Sequence, residues 1–233
     1  MTATMTASLT IGCAPCCWGV DNVDNPHLPP WRQVLDEACE AGFRGMELGP
    51  CGYIPLDAAL VRTEFTQRRL CITAGTIFDD LVSPARLPQL LRQTREICGL
   101  ISQLPRPAAA AGQRYPAPYL VVMDWGHPER DFEAGHPDRA PRLSDARWAA
   151  MVDHIRQIAH LAWSGFGVRA VIHPHAGGYI EFADEIDRIA ADVPAQAAGL
   201  CLDTGHLHYS GMDPASWLRR HAARLEYVHF KDI

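Results

Sequence analysis

Ala198-Gly199-Leu200-Cys201-Leu202-Asp203-Thr204-Gly205-His206 and Leu225-Glu226-Tyr227-Val228-His229-Phe230-Lys231-Asp232 decide the fold. Each is a short apolar run of strand length that stops at ionisable residues, Asp203 and His206 in the first and His229 and Lys231 in the second. Runs of this kind read as strands buried on both faces, as in a parallel sheet covered by helices. Ionisable groups that arrive where the apolar run ends match a parallel barrel, which keeps its active site at the C-terminal ends of its strands.

Working outward, the same unit recurs. Strands are expected at 9–13, 45–48, 71–76, 119–123, 170–173, 200–203 and 227–229, with helical patterns between them. The clearest helix is 144–163, where Trp148, Met151, Val152, Ile155, Ile158, Ala159 and Ala162 recur at helical spacing behind a Ser144 cap. Residues 31–41 form a helix that Gly42 ends, and 183–191 and 214–223 repeat the arrangement. Alternating strands and helices imply a parallel sheet, either closed or open and doubly wound. Candidate polar or aromatic residues follow nearly every strand (Trp18, Glu47, Thr76, Asp124, His173, Asp203 and His229), whereas an open sheet gathers them at one switch point. The expected fold is therefore a single α/β domain over 1–233, a TIM (β/α)8-type barrel truncated after its seventh strand. An open gap beside the first strand leaves unpaired edge groups unless a partner covers them, and a homo-oligomer is one such cover.

The 233 residues carry a net charge of −6, with arginines scattered rather than clustered. No basic stripe is available to track a phosphate backbone, so nucleic acid is excluded as a partner. No glycine-rich nucleotide-binding motif follows a strand. The start, Met1 to Ser8, lacks a basic, apolar leader pattern and no stretch is long enough to span a bilayer, so a cytoplasmic protein without membrane contact is expected. Of eight cysteines, Cys39, Cys71, Cys98 and Cys201 fall singly inside helices or strands, as buried free thiols do. Cys13-x-x-Cys16-Cys17 has metal or redox spacing but no second paired motif to complete a site, and reads as a strand end packing beside Trp18.

The barrel mouth carries the chemistry. Asp203 is either an oxygen ligand for a divalent cation or the cap of the turn that follows. His173, His206 and His229 end or follow three adjacent strands beside it, a convergence that favours a metal site, and His175 lies two residues from His173. Lys231 either holds an oxyanion or makes a surface ion pair. Glu47, inside an apolar strand, demands a partner, and a polyol hydroxyl serves better than Arg44. Thr76 and Asp124-Trp125-Gly126-His127 add polar hooks and an aromatic wall of the sort sugar-like ligands use, and Trp18 joins them as a candidate contact.

These residues also carry a resemblance. Gly12-Cys13-Ala14-Pro15-Cys16-Cys17-Trp18-Gly19, Gly45-Met46-Glu47-Leu48-Gly49-Pro50, Ala74-Gly75-Thr76-Ile77-Phe78-Asp79-Asp80, His173-Pro174-His175-Ala176-Gly177, Asp203-Thr204-Gly205-His206 and His229-Phe230-Lys231-Asp232 resemble the xylose-isomerase-like barrels, and within them the inosose (2-keto-myo-inositol) dehydratases. The resemblance covers nearly the whole chain. It implies a divalent cation, Mn²⁺ or Co²⁺, on Asp203, His229 and His173 or His175, with His173 standing where the wider family has a carboxylate. It also implies loss of water from a cyclic keto-polyol to give a dione. His206 is then the candidate base or proton shuttle with His175 its competitor, and Lys231 stabilises the oxyanion. A ketose epimerase or isomerase uses the same enediolate, and a non-catalytic polyol-binding barrel needs no working metal.

Overall fold

The structure is a computed structural model and describes residues 10–232. The first eight residues and the expected strand start at Leu9 lie outside that range. Seven parallel strands among the described residues run in sequence order: β1 Gly12–Cys13, β2 Gly45–Glu47, β3 Cys71–Asp79, β4 Tyr119–Asp124, β5 Arg169–Ile172, β6 Gly199–Asp203 and β7 Leu225–His229. Every connection is a right-sized crossover that carries a helix, as parallel pairing requires. The helices are α1 Trp31–Glu40, α2 Ala58–Arg68, α3 Leu87–Ile101, α4 Pro128–Asp131, α5 Asp145–Phe166, α6 Ala183–Asp192, α7 Thr204–Tyr209 and α8 Pro214–Arg220.

Strand periodicity separates two cores. Leu120, Val122, Ala170, Ile172, Leu200 and Leu202 face outward into the layer shared with the helices. Tyr119, Val121, Val171 and Cys201 alternate with them and meet Ala74 inside the curved sheet, with Met123 and Tyr227 packed against this inner cluster. Helix α5 turns Met151, Ile155, Ile158 and Ala162 onto the outer layer, fully buried, with Met151, Ile155 and Ile158 each contributing about 1.5–3 kcal/mol relative to exposure. Its ends follow the sequence: Ser144 caps it by accepting from Arg147 N, and Gly167 closes it at φ 65°. Gly75 lets α3 approach β3, since a Cβ there would lie 2.4 Å from Ile97 Cγ2. Residues 102–118 join α3 to β4 without a helix or strand.

The sheet is rolled. Strands β2 and β7 are five positions apart, about 24 Å in a flat sheet at 4.8 Å per strand. Yet Tyr227 on β7 donates its hydroxyl to Glu47 Oε1 on β2 at 2.8 Å. The strands therefore curl around a common interior, with β1 and β7 as the edges of the order. This matches the expected barrel with seven strands. No helix among the described residues is long and apolar enough to cross a membrane.

Candidate metal and proton-transfer site

Asp203 ends β6 and caps α7, and its two oxygens stand in different surroundings. Oδ1 caps the helix, accepting from Gly205 N at 2.8 Å and His206 N at 3.0 Å. Oδ2 is buried and has no hydrogen-bond partner. Around Oδ2 stand His173 Nε2 at 3.6 Å, His229 Nδ1 at 3.7 Å and His206 Nε2 at 4.0 Å. Lys231 Nζ lies 2.9 Å away as a charge contact. Gly205 makes room for it, because a Cβ there would come within 3.1 Å of Lys231 Cβ. Thr204 Oγ1, accepting from Lys231 N at 2.8 Å, pins the chain after β7 to the start of α7.

Electrostatics follow from this crowding. Burial opposes ionisation of Asp203, but His173, His206 and Lys231 outweigh it and hold the carboxyl well below the ordinary range. Burial pushes His173 down to about 4 and, with His175 and His173 as neighbours, His206 down to about 2. Burial also lowers His175. His229 goes the other way: burial opposes its charge, but Cys201 and Glu47 raise it, and the Glu47 carboxylate 2.9 Å from its Nε2 is the cause that stands on geometry. Glu47 is 7% exposed, so it is a buried carboxylate with a cationic partner. Its pKa is lowered despite burial by His229 and by the Tyr227 hydroxyl.

The donor set fits a divalent ion. Two ligands each about 2.0–2.2 Å from a metal sit roughly 3–4 Å apart, which is the spacing of the imidazole nitrogens from Asp203 Oδ2. His173, Asp203 and His206 have mutually close ligand atoms, and so do His173, Cys201 and His229. His173 Nδ1 and Asp203 Oδ2 are orphaned buried polar atoms, and an ion at Oδ2 would give that oxygen its missing partner. Lys231 stands in for such a cation. The Glu47 contact completes the pattern: a carboxylate on one ring nitrogen of a ligating histidine fixes its tautomer and turns the other nitrogen toward the metal.

Two expectations follow. Glu47→Gln should weaken divalent-ion binding about 10–100-fold with the same stoichiometry, measurable by competition with a chromophoric chelator; unchanged affinity would remove Glu47 from this role. The metal-free protein should lose stability as pH falls from the ordinary histidine value of 6.5 toward 4. In that window unfolded histidines bind protons that folded His173, His175 and His206 refuse, so the unfolded state gains. His229, charged in both states below 6.5, does not offset the loss. Thermal melting across this range should show a falling midpoint, and a flat profile would contradict burial of neutral imidazoles.

The other expected residues lie at varied distances from Asp203. His175 packs on His206, ring centroids 4.1 Å apart. Thr76 shares the inner face of β3 with Ala74 by strand alternation. Trp125 is 41% exposed and stacks on Phe78 at 4.9 Å, and Phe78 in turn packs on His175 at 4.9 Å, forming an aromatic wall beside the histidines. Asp124 is committed to structure: it accepts from Leu81 N, Tyr179 N and His127 Nε2 at 3.0, 2.7 and 3.0 Å. His127 is buried against Tyr179. Trp18 is not brought to the cluster, since its indole donates to Glu37 on α1 at 2.6 Å and packs on the outer core. All eight cysteines are free thiols, and burial pushes Cys13 up to about 12 and Cys16 up to about 11, which disfavours the thiolates that metal or redox use requires. Arg44 turns its guanidinium to Phe43 O and does not pair with Glu47. Sequence reading missed Tyr227 and Phe78 as side chains of the mouth. An aromatic at a position facing the barrel interior, two residues before His229, was the available signal for Tyr227.

A rolled parallel sheet with a histidine–carboxylate cluster at its C-terminal mouth defines a barrel of the enzyme-bearing class. Residues 35–233 match the xylose isomerase-like TIM barrel family, and the chain belongs to it. The chain is similar to the inosose dehydratase of Geobacillus kaustophilus, 30% identical over 96% of this chain and 69% of the relative. It is also similar to the inosose dehydratase of Salmonella typhimurium, 24% identical over 97% of this chain and 71% of the relative. In fold it resembles the crystal structure of a probable 3-DHS dehydratase from Bacillus anthracis, with a TM-score of 0.70, 15% identity, and coverage of 97% of this chain and 74% of that one.

Proposed function

We propose that this protein is a metal-dependent hydro-lyase that removes water from an inosose-type cyclic keto-polyol to give a dione. The observation that carries the reading is similarity to inosose dehydratases along nearly the whole chain. The Asp203-centred cluster supports it by supplying ligands and proton-transfer groups at one mouth.

His173 Nε2, Asp203 Oδ2 and His229 Nδ1 are the atoms that would hold the ion, with Mn²⁺ or Co²⁺ the expected metals for a mixed imidazole and carboxylate set. When bound, the ion supplies Lewis-acid polarisation of the ketone and its neighbouring hydroxyl. Glu47 keeps the His229 ring oriented, and Tyr227, donating to Glu47 and lying 3.1 Å from Thr73 Oγ1, keeps Glu47 in place. Lys231, whose Nζ lies 2.9 Å from Asp203 Oδ2, would be the cation that pairs with the oxyanion. The Phe78–Trp125 wall offers an apolar face to the ring carbons of a polyol.

The test is product analysis with 2-keto-myo-inositol and a panel of ketoses, using protein loaded with Mn²⁺ or Co²⁺. A dehydrated product from the inosose supports the reading. Isomerised ketose with no dehydrated product would replace it with an epimerase or isomerase, and tight polyol binding without turnover would replace it with a binding barrel.

A further inference from the structure

The main chain of one residue, Ala176, contacts both of the histidines that are not needed as ligands. Ala176 N donates to His206 Nδ1 at 3.3 Å, and Ala176 O lies 2.7 Å from His175 Nδ1. A ring nitrogen that faces a carbonyl must carry hydrogen, and one that accepts from an amide must hold a lone pair. In a neutral imidazole the second nitrogen then has the opposite character. His206 carries only one hydrogen while its Nδ1 accepts from the amide, and His175 keeps its Nδ1 hydrogen on the Ala176 carbonyl. The lone pair of His175 is therefore on Nε2, and the hydrogen of His206 is on Nε2. The two rings pack together with centroids 4.1 Å apart, and His206 Nε2 stands 4.0 Å from Asp203 Oδ2.

We propose that the main chain of Ala176, through its N–H and its C=O, sets His175 and His206 in opposite tautomers, making His175 Nε2 the proton acceptor of the reaction and His206 Nε2–H a neutral hydrogen-bond donor to the ketone oxygen. The choice of substrate rests on the dehydratase reading above. A hydrogen on Nε2 also takes His206 out of the ligand set, which leaves His173, Asp203 and His229.

The bond changes balance. The proton on the carbon beside the ketone passes to His175 Nε2, the C–H pair forms a C=C bond, and the carbonyl pair moves to oxygen, where His206 Nε2–H meets it. A neutral imidazole as electrophile serves an enediolate in the same way in triosephosphate isomerase. The carbonyl then re-forms, the C=C shifts by one carbon, and the next C–O bond breaks with its pair on oxygen. That hydroxide takes the proton from His175 and leaves as water. The enol so formed tautomerises to the dione, and no oxidant or reductant enters.

Long-range proton–nitrogen correlation spectra of ¹⁵N-labelled protein, metal-free and with Mg²⁺, read the tautomers directly. The expected result is hydrogen on Nδ1 of His175 and on Nε2 of His206; the same tautomer in both rings, or the reverse pair, overturns the proposal. Solvent deuterium uptake at the carbon beside the ketone and dione formation then test the roles. His175→Gln should lose both by about 100-fold or more, the range of a general base. His206→Gln, which keeps a neutral donor, should stay about tenfold or more above His206→Ala. His206→Gln as inactive as His206→Ala, with exchange kept in His175→Gln, would reverse the assignment. If wild-type protein gives neither exchange nor dione, the dehydratase reading fails while the nitrogen spectra still decide the tautomers.

Discussion

Asp203→Asn is expected to lower divalent-ion affinity by more than about 100-fold, beyond the 10–100-fold range of residues that only orient ligands. The substitution keeps shape and one carbonyl oxygen, so the cap on Gly205 N and His206 N survives. What disappears is the charge at Oδ2, the point that His173, His229 and Lys231 all face. The metal-free melting temperature should fall as well, because the charge that Lys231 and the histidines stabilise is lost even though the cap is kept. Isothermal titration with Mn²⁺, beside thermal melting, separates the two effects. Wild-type metal stoichiometry and affinity in Asp203→Asn would remove this residue from the ligand set.

Arg130→Met should cost about 3–5 kcal/mol of stability, the range for breaking a buried ion pair from one side. Arg130 is 0% exposed and pairs with both oxygens of Glu185 at 3.0 Å while donating to Pro141 O at 2.9 Å. Methionine fills part of the volume but leaves Glu181 without its cation at 3.6 Å and Glu185 with only Arg142. The damage should reach the site. Glu181 holds the loop that carries His175 and Ala176 by accepting from Gly177 N, and accepts from Ser210 at the end of α7. Urea unfolding measures the loss, and a variant within about 1 kcal/mol of the parent would show that the network contributes little.

The elements legible in the sequence were those whose signal is local. Strands ending at Asp203 and His229 announced themselves by an apolar run that stops, and α5 by its periodicity and the Ser144 cap. Their long-range partners were not legible. Glu47 and Tyr227 are 180 residues apart, and only closure of the sheet makes one the partner of the other. Nothing local distinguished a carboxylate aimed at a polyol from one aimed at His229. Asp124 looked like a mouth residue because it ends β4, yet its oxygens bind the backbone of two neighbouring loops, at Leu81 N and Tyr179 N. Trp18 was ambiguous for a similar reason, since a short 3-10 turn, Pro15–Trp18, sets the direction of its indole toward α1. The question of cap against ligand at Asp203 had no sequence answer because Oδ1 makes the cap and leaves Oδ2 free to face the histidines. Ala176 carries no side-chain signal at all; its part is played by its main-chain N–H and C=O.

The most direct test is ultraviolet detection of dione formation from 2-keto-myo-inositol by the protein, stripped of metal by chelator and then titrated with Mn²⁺ or Co²⁺. Metal-dependent dehydration predicts no dione in stripped protein and a rate that rises with bound ion until one ion per chain is reached. Folded, metal-loaded protein that forms no dione, or stripped protein that forms it at the full rate, would contradict it.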